Sequence, residues 1–149
     1  SWHDEYIELF PNANIAIAVA IEGGLVTPVI HHAESLSLSE ISDRSAALAL
    51  SARAGELGRD DLAGGTFTIS NLGMYGIREF AAVINPPQGA ILAVGACEKR
   101  PIVNGDNLDI ATMMTITLSC DHRVVDGAVG ARWLQAFKGL VENPMTMLL

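Results

Sequence analysis

ATMMTITLSCDHRVVDGAVGARWLQAFKGLVEN, residues 111–143, passes from an uncharged run rich in threonine and isoleucine, through a cluster of ionisable groups, to apolar residues at helical spacing. Ala111 to Cys120 carry no charge and read as one long, largely buried strand. Val129, Trp133, Ala136, Phe137, Leu140 and Val141 recur at the intervals of an amphipathic helix. Asp126 is its natural amino-terminal cap, and Asn143 is its last residue before Pro144. Asp121, His122 and Arg123 therefore fall in a strand-to-helix turn.

A turn fixed at both ends by packed elements holds an imidazole in one place, and the unperturbed pKa of histidine suits proton transfer near neutral pH. Two readings of His122 stay open on the residues alone. One is a structural turn histidine beside an aspartate that only caps; the other is a catalytic base in a His, three residues, Asp, Gly pattern.

The rest of the chain sets bounds on what that turn can serve. With 149 residues, 50% hydrophobic and 17% charged, there is enough apolar material for one domain with a sizeable core. A mean hydropathy of +0.32, without an apolar run of membrane-spanning length, points to apolar surface buried between subunits and against a membrane partner. Nine Lys and Arg in a chain of net charge −8 argue against nucleic-acid binding, which needs clustered basic residues. Cys97 and Cys120 have neither metal-ligand nor CxxC spacing, so both read as buried free thiols of a reducing compartment. His31 and His32 are adjacent and point opposite ways on an extended chain, so no metal site is expected there. The opening SWHDEY has no signal-peptide character and reads as a segment already under way.

In chain order, Ile15, Ile17, Val19 and Ile21 alternate with alanines as one strand, and Gly23 and Gly24 turn it into a second over Leu25 to Ile30, with Pro28 at an edge or bulge. Ser37 and Glu40 form a capping box for a helix that ends near Gly55 and packs its alanines on a sheet. A polar link, Glu56 to Ala63, precedes a strand over Thr66 to Ser70 and a tight loop at Asn71, Gly73 and Gly76. Ser70 ends that strand, where a serine bonded to its own turn is as reasonable as a functional hydroxyl. Phe80 to Ile84 and Ala90 to Ala96 read as two more strands about the rigid bend NPPQG, and Asn104, Gly105 and Asp106 as a hairpin turn. The fold class is α+β, with a mixed or mainly antiparallel sheet and flanking helices.

GGTFTISNLGMYGIREFAAVINPPQGAILAVGA (residues 64–96), together with LSCDHRVVDGA (residues 118–128), closely resembles the catalytic domain of the 2-oxo-acid dehydrogenase acyltransferases. The NLGMYGI loop is similar to that of the pyruvate branch. The resemblance covers essentially the whole chain and implies a chloramphenicol-acetyltransferase-like mixed sheet, trimers with active sites at subunit interfaces, and cubic or dodecahedral cores built of trimers. It implies transfer of an acetyl group from an S-acetyl-dihydrolipoyl group to coenzyme A, in a bacterial cytoplasm or a mitochondrial matrix.

Its site residues carry over as His122 for the catalytic histidine, Ser70 for the hydroxyl that stabilises the tetrahedral intermediate, and Asp126 for the acidic or amide residue of the same motif. Coenzyme A is then a substrate. The lipoyl group and the contacts to pyruvate dehydrogenase and dihydrolipoamide dehydrogenase belong to domains outside this chain, which corresponds to the C-terminal part of the catalytic domain. Where the family has a basic residue, this chain has His31 or His32. The alternatives that the resemblance leaves are another acyl group, succinyl or branched-chain, and a core subunit without catalysis. The apolar end PMTMLL, residues 144–149, is expected either to fold back on its own subunit or to insert into a neighbouring trimer.

Overall fold

The structure, a computed structural model, describes residues 1–148, with the side chain of Leu148 outside the description. A small hairpin, β1 (Trp2–His3) and β2 (Tyr6–Ile7), opens the chain. Then come β3 (Ile15–Ile17), β4 (Val19–Ile21), β5 (Gly24–Val26), β6 (Val29–Ile30), α1 (Leu38–Ala54), α2 (Arg59–Leu62) and β7 (Phe67–Asn71). The second half holds β8 (Ala90–Val94), β9 (Glu98–Asn104), β10 (Asn107–Met113), β11 (Ile116–Cys120) and α3 (Gly127–Glu142).

Five of these strands make the central sheet in the order β11, β8, β7, β3, β6. β7 runs parallel to both β3 and β8, while the outer pairs are antiparallel, so the sheet is mixed as expected. Its longest buried run is in β8, where Ala90 to Ala93 are all buried and Leu92 is 1% exposed. α3 covers one face: its buried Gly130 lies over Leu118 and Cys120 of β11, and Trp133 packs between Phe137, at 5.2 Å, and Phe67 of β7, at 5.6 Å. α1 lies against β4 and β6.

Both helix starts follow the sequence. The Ser37 amide donates to Glu40 and the Glu40 amide to Ser37, and Gly55 stops α1 at φ 73°, a left-handed conformation that suits glycine. Asp126 caps α3.

The strand expectations need correction in four places. Ile15 to Ile21 is two strands, because β3 joins the central sheet while β4 turns away to pair with β5. Leu25 to Ile30 likewise divides at Pro28, which has no amide hydrogen to donate; it is buried, and its carbonyl accepts from the Ile17 amide at 2.8 Å. Ala111 to Cys120 is broken at Met114 and Thr115: β10 belongs to a separate hairpin with β9, and only β11 enters the central sheet. Phe80 to Ile84 forms no strand, and Val83 is 89% exposed. Four strands and helices were not foreseen: β1 and β2 of the opening hairpin, β9, and the single turn α2 inside the polar link.

Candidate active site

His122 is exposed in the turn between β11 and α3, and Asp121 holds that turn. The Asp121 amide donates to the Gly89 carbonyl at 2.8 Å, and its own carbonyl accepts from the amides of Val124 and Val125, both at 2.9 Å. Its carboxylate accepts from the Arg123 amide at 3.0 Å and from the Arg123 guanidinium through Nε and, at 2.7 Å, through Nη2. Those bonds from Arg123 hold the Asp121 carboxyl well below its ordinary value, at about 2. The guanidinium in turn lies over the ring of Trp2, 5.3 Å from its centroid.

Asp126 Oδ1 accepts from the Val129 amide at 2.8 Å, and this backbone bond lowers the carboxyl's pKa. Among the described residues no hydrogen bond joins Asp126 to His122; its carboxylate caps α3.

Ser70 is the fourth residue of β7, half-buried, on the wall of a cavity of about 410 Å³. Thr68, Ile91 and the segment from Phe80 to Asn85 share that wall. Thr68 points to the same side of β7 and donates its hydroxyl to Gln88, both side chains being buried. The loop after Ser70 turns tightly because Asn71 Oδ1 accepts from the Gly73 amide at 2.8 Å, and it is fastened to the sheet by the Leu72 amide on Val94 and the Ala96 amide on Ile77.

The register decides which of these residues meet. β8 lies between β7 and β11; Ser70 pairs with Ala93 at its far end, Cys120 pairs with Ala90 at its near end, and His122 continues beyond Cys120. Strand geometry then puts Ser70 and Cys120 about 10 Å apart along the sheet and about 10 Å apart across it, with His122 beyond Cys120. Within one chain His122 and Asp126 share a turn, whereas Ser70 stands apart from both.

Sequence reasoning did not find Trp2, Gly89 or Gln88 as parts of this arrangement. The NPPQG bend was the available signal, since its last two residues tie the serine strand, through Thr68, to the histidine turn, through Asp121. The expectation of two buried thiols is corrected: Cys97 is exposed, and only Cys120 is partly buried, with desolvation raising its pKa. His31 meets the Asp60 carbonyl at 3.1 Å, and His32, at φ 53°, sits 3.7 Å from the Glu34 carboxylate. No described helix is long and apolar enough to cross a membrane.

A family model described as the 2-oxoacid dehydrogenases acyltransferase (catalytic domain) matches residues 1–149. The mitochondrial dihydrolipoyllysine-residue acetyltransferase component 3 of the pyruvate dehydrogenase complex of Arabidopsis thaliana is 55% identical over 152 residues, which cover 100% of this chain and 28% of that protein. The solved dihydrolipoamide acetyltransferase of Azotobacter vinelandii superposes with a TM-score of 0.90 at 36% identity, covering 94% of this chain and 58% of that one. The structure of that relative addresses the role of a serine, a histidine and an asparagine in its catalytic mechanism, the histidine 52 residues after the serine and the asparagine four after the histidine. The solved cubic core of the pyruvate dehydrogenase multienzyme complex superposes equally well, with a TM-score of 0.90 at 35% identity over 94% of this chain and 58% of that one. The chain thus spans little more than a quarter of the curated relative's length and under two thirds of each solved chain. With its full length matched and its fold shared at this level of identity, the chain belongs to the 2-oxoacid dehydrogenase acyltransferases, as catalytic-domain sequence of that family.

Proposed function

We propose that this chain, as the C-terminal part of its catalytic domain, transfers an acetyl group from an S-acetyl-dihydrolipoyl group to the thiol of coenzyme A, within a trimer-built core. The observation that carries the reading is spacing: Ser70, His122 and Asp126 stand at the same intervals as the serine, histidine and asparagine of the Azotobacter enzyme, with an aspartate in the third place. The lipoyl group, and the pyruvate dehydrogenase and dihydrolipoamide dehydrogenase partners, come through domains outside this chain. The compartment is the bacterial cytoplasm or, as in the Arabidopsis relative, the mitochondrion.

The chemical task is to make a sulfur nucleophile beside a thioester. A free thiol titrates near about 8.5 and imidazole near about 6.5, so proton transfer to a neutral histidine is uphill by roughly 2 units, or about 2.7 kcal/mol. His122 takes the coenzyme A thiol proton as the sulfur attacks the acetyl carbonyl carbon, then gives that proton to the departing dihydrolipoyl sulfur. One base serves both directions. The Ser70 hydroxyl donates to the oxygen that becomes negative in the tetrahedral intermediate, and loss of such a donor costs on the order of 10²- to 10³-fold in turnover.

Ser70 and His122 lie too far apart in one chain to act on one carbonyl, which supports a site built from two copies, with His122 of one facing Ser70 of the next. Complementation tests this in the full-length protein. His122→Ala lowers transfer by about 10²- to 10⁴-fold, to a small residual rate, and Ser70→Ala lowers turnover by about 10²-fold, each with the particle intact. Co-expressing the two variants regenerates about a quarter of the sites by random pairing across interfaces. Mixed particles no more active than the separate variants would refute the shared site, and near-normal turnover in His122→Ala would refute the mechanism.

A further inference from the structure

We infer that Asp121 is a positioning residue for His122, clamping the turn that carries the histidine through its pair with Arg123, which Trp2 covers. The inference rests on the reading of His122 as the base. Asp121 and Arg123 flank His122 directly, so the peptide groups on both sides of the histidine are tied by their bonds. The Asp121 amide is fixed to Gly89 at the start of β8, its carbonyl takes two amides of the turn, and its carboxylate takes the Arg123 amide and the guanidinium. Rotating either peptide group next to His122 breaks at least one of these bonds.

The clamp reaches beyond the motif. The Trp2 ring, from the small hairpin at the other end of the sequence, closes one face of the guanidinium at 5.3 Å, while the Arg123 side chain stays 61% exposed. An ion pair that open to water adds little to stability. What it supplies is direction, because a bidentate fork fixes the carboxylate in the guanidinium plane, and a base displaced by about 1 Å can cost on the order of 10²-fold in rate. Asp126 has a different task, since its carboxylate starts α3.

The test uses the full-length particle, with kcat and KM measured for coenzyme A and for acetyl-dihydrolipoamide. Asp121→Ala lowers kcat by about tenfold or more and leaves both KM values within about twofold. Asp121→Asn keeps an acceptor for the Arg123 amide but loses the charged fork, and falls in between. A residue that works through His122 also shows a specific pattern of coupling. Added to His122→Ala, Asp121→Ala changes the residual rate by no more than about twofold, whereas its loss multiplies with that of Ser70→Ala. Wild-type kcat in Asp121→Ala, or a further fall when it is added to His122→Ala, overturns the inference. So does failure of Asp121→Asn to assemble, by light scattering, which would make Asp121 a folding residue. Activity retained in His122→Ala alone would instead sink the reading of the base.

Discussion

Asp121 and Asp126 belong to one short motif yet hold their charges for different reasons, an arginine side chain for the first and a helix amide for the second. The ion pair gives Asp121 a signature in pH. Its carboxyl lies at about 2 in the folded chain against an ordinary 3.8, so the unfolded chain takes up the proton first as the pH falls. The contribution of the pair to stability is complete above the ordinary value and is lost as pH drops toward the folded one. Thermal melts of the wild type and Asp121→Asn are therefore expected to differ by a small, constant gap above pH 3.8, because the pair is open to water, and to converge between there and about 2. A gap that stays constant through that window would mean that the pair is not charged in the folded protein. At this scale the histidine turn and its cap were legible because both are local: a polar cluster between two apolar patterns, and an aspartate where a helix begins. Trp2 and Gly89 were not, because their parts are set by tertiary packing, which leaves no periodicity in the sequence.

The elements around the serine show how far local pattern goes. Capping residues and turn glycines were read correctly, since Ser37, Glu40, Gly55 and Gly105 act through their own backbone neighbourhood. Sheet membership was not legible. Residues 111–120 are uniformly apolar and polar-uncharged, yet the chain leaves one sheet and enters another at Met114 and Thr115, where the Gly95 amide donates to the Thr115 carbonyl at 2.9 Å. β9 escaped notice because Glu98, Lys99, Arg100 and Pro101 look like a surface loop. In the fold Arg100 is partly buried, its Nε on Glu98 at 2.7 Å and its Nη1 on Thr115 at 2.9 Å. Gly95 is the point where the loop after Ser70, the start of β11 and the end of β8 converge: a methyl group there would fall on the Arg78 carbonyl and crowd the Thr115 carbonyl. Gly95→Ala is expected to destabilise the chain by about 1–3 kcal/mol through forced backbone shifts. Gly139→Ala, in open space on α3, is the control and is expected to stabilise by roughly 0.5–1 kcal/mol. Chemical denaturation distinguishes them, and equal effects of the two would remove the packing argument.

At the scale of the molecule, the mean hydropathy pointed to a chain that covers itself incompletely, and its uncovered apolar residues include Leu9, Val83, Val103, Leu108 and Ile110. The end of the chain is part of that surface. After Asn143 the backbone makes a 3-10 turn over Pro144–Leu148, held by the Thr146 hydroxyl on the Asn143 carbonyl at 2.7 Å. Met145 is 71% exposed and Met147 41% exposed, so neither methionine is packed away on its own subunit; Leu149 and the Leu148 side chain lie outside the described residues. An ordered turn that presents methionines to solvent favours a tail that docks on another copy over one that folds back. Burial of one such side chain is worth about 1.5–3 kcal/mol, and methionine adapts to an irregular pocket, so a contact of this size repeated by symmetry is enough to join trimers. Deleting residues 147–149 is therefore expected to release trimers that keep acetyl transfer, since the shared sites proposed above draw on Ser70 and His122 but not on the tail. Size-exclusion chromatography with light scattering decides the matter. A large particle that survives the deletion refutes the docking role, and loss of the trimer itself would mean that the tail belongs to the core of its own subunit.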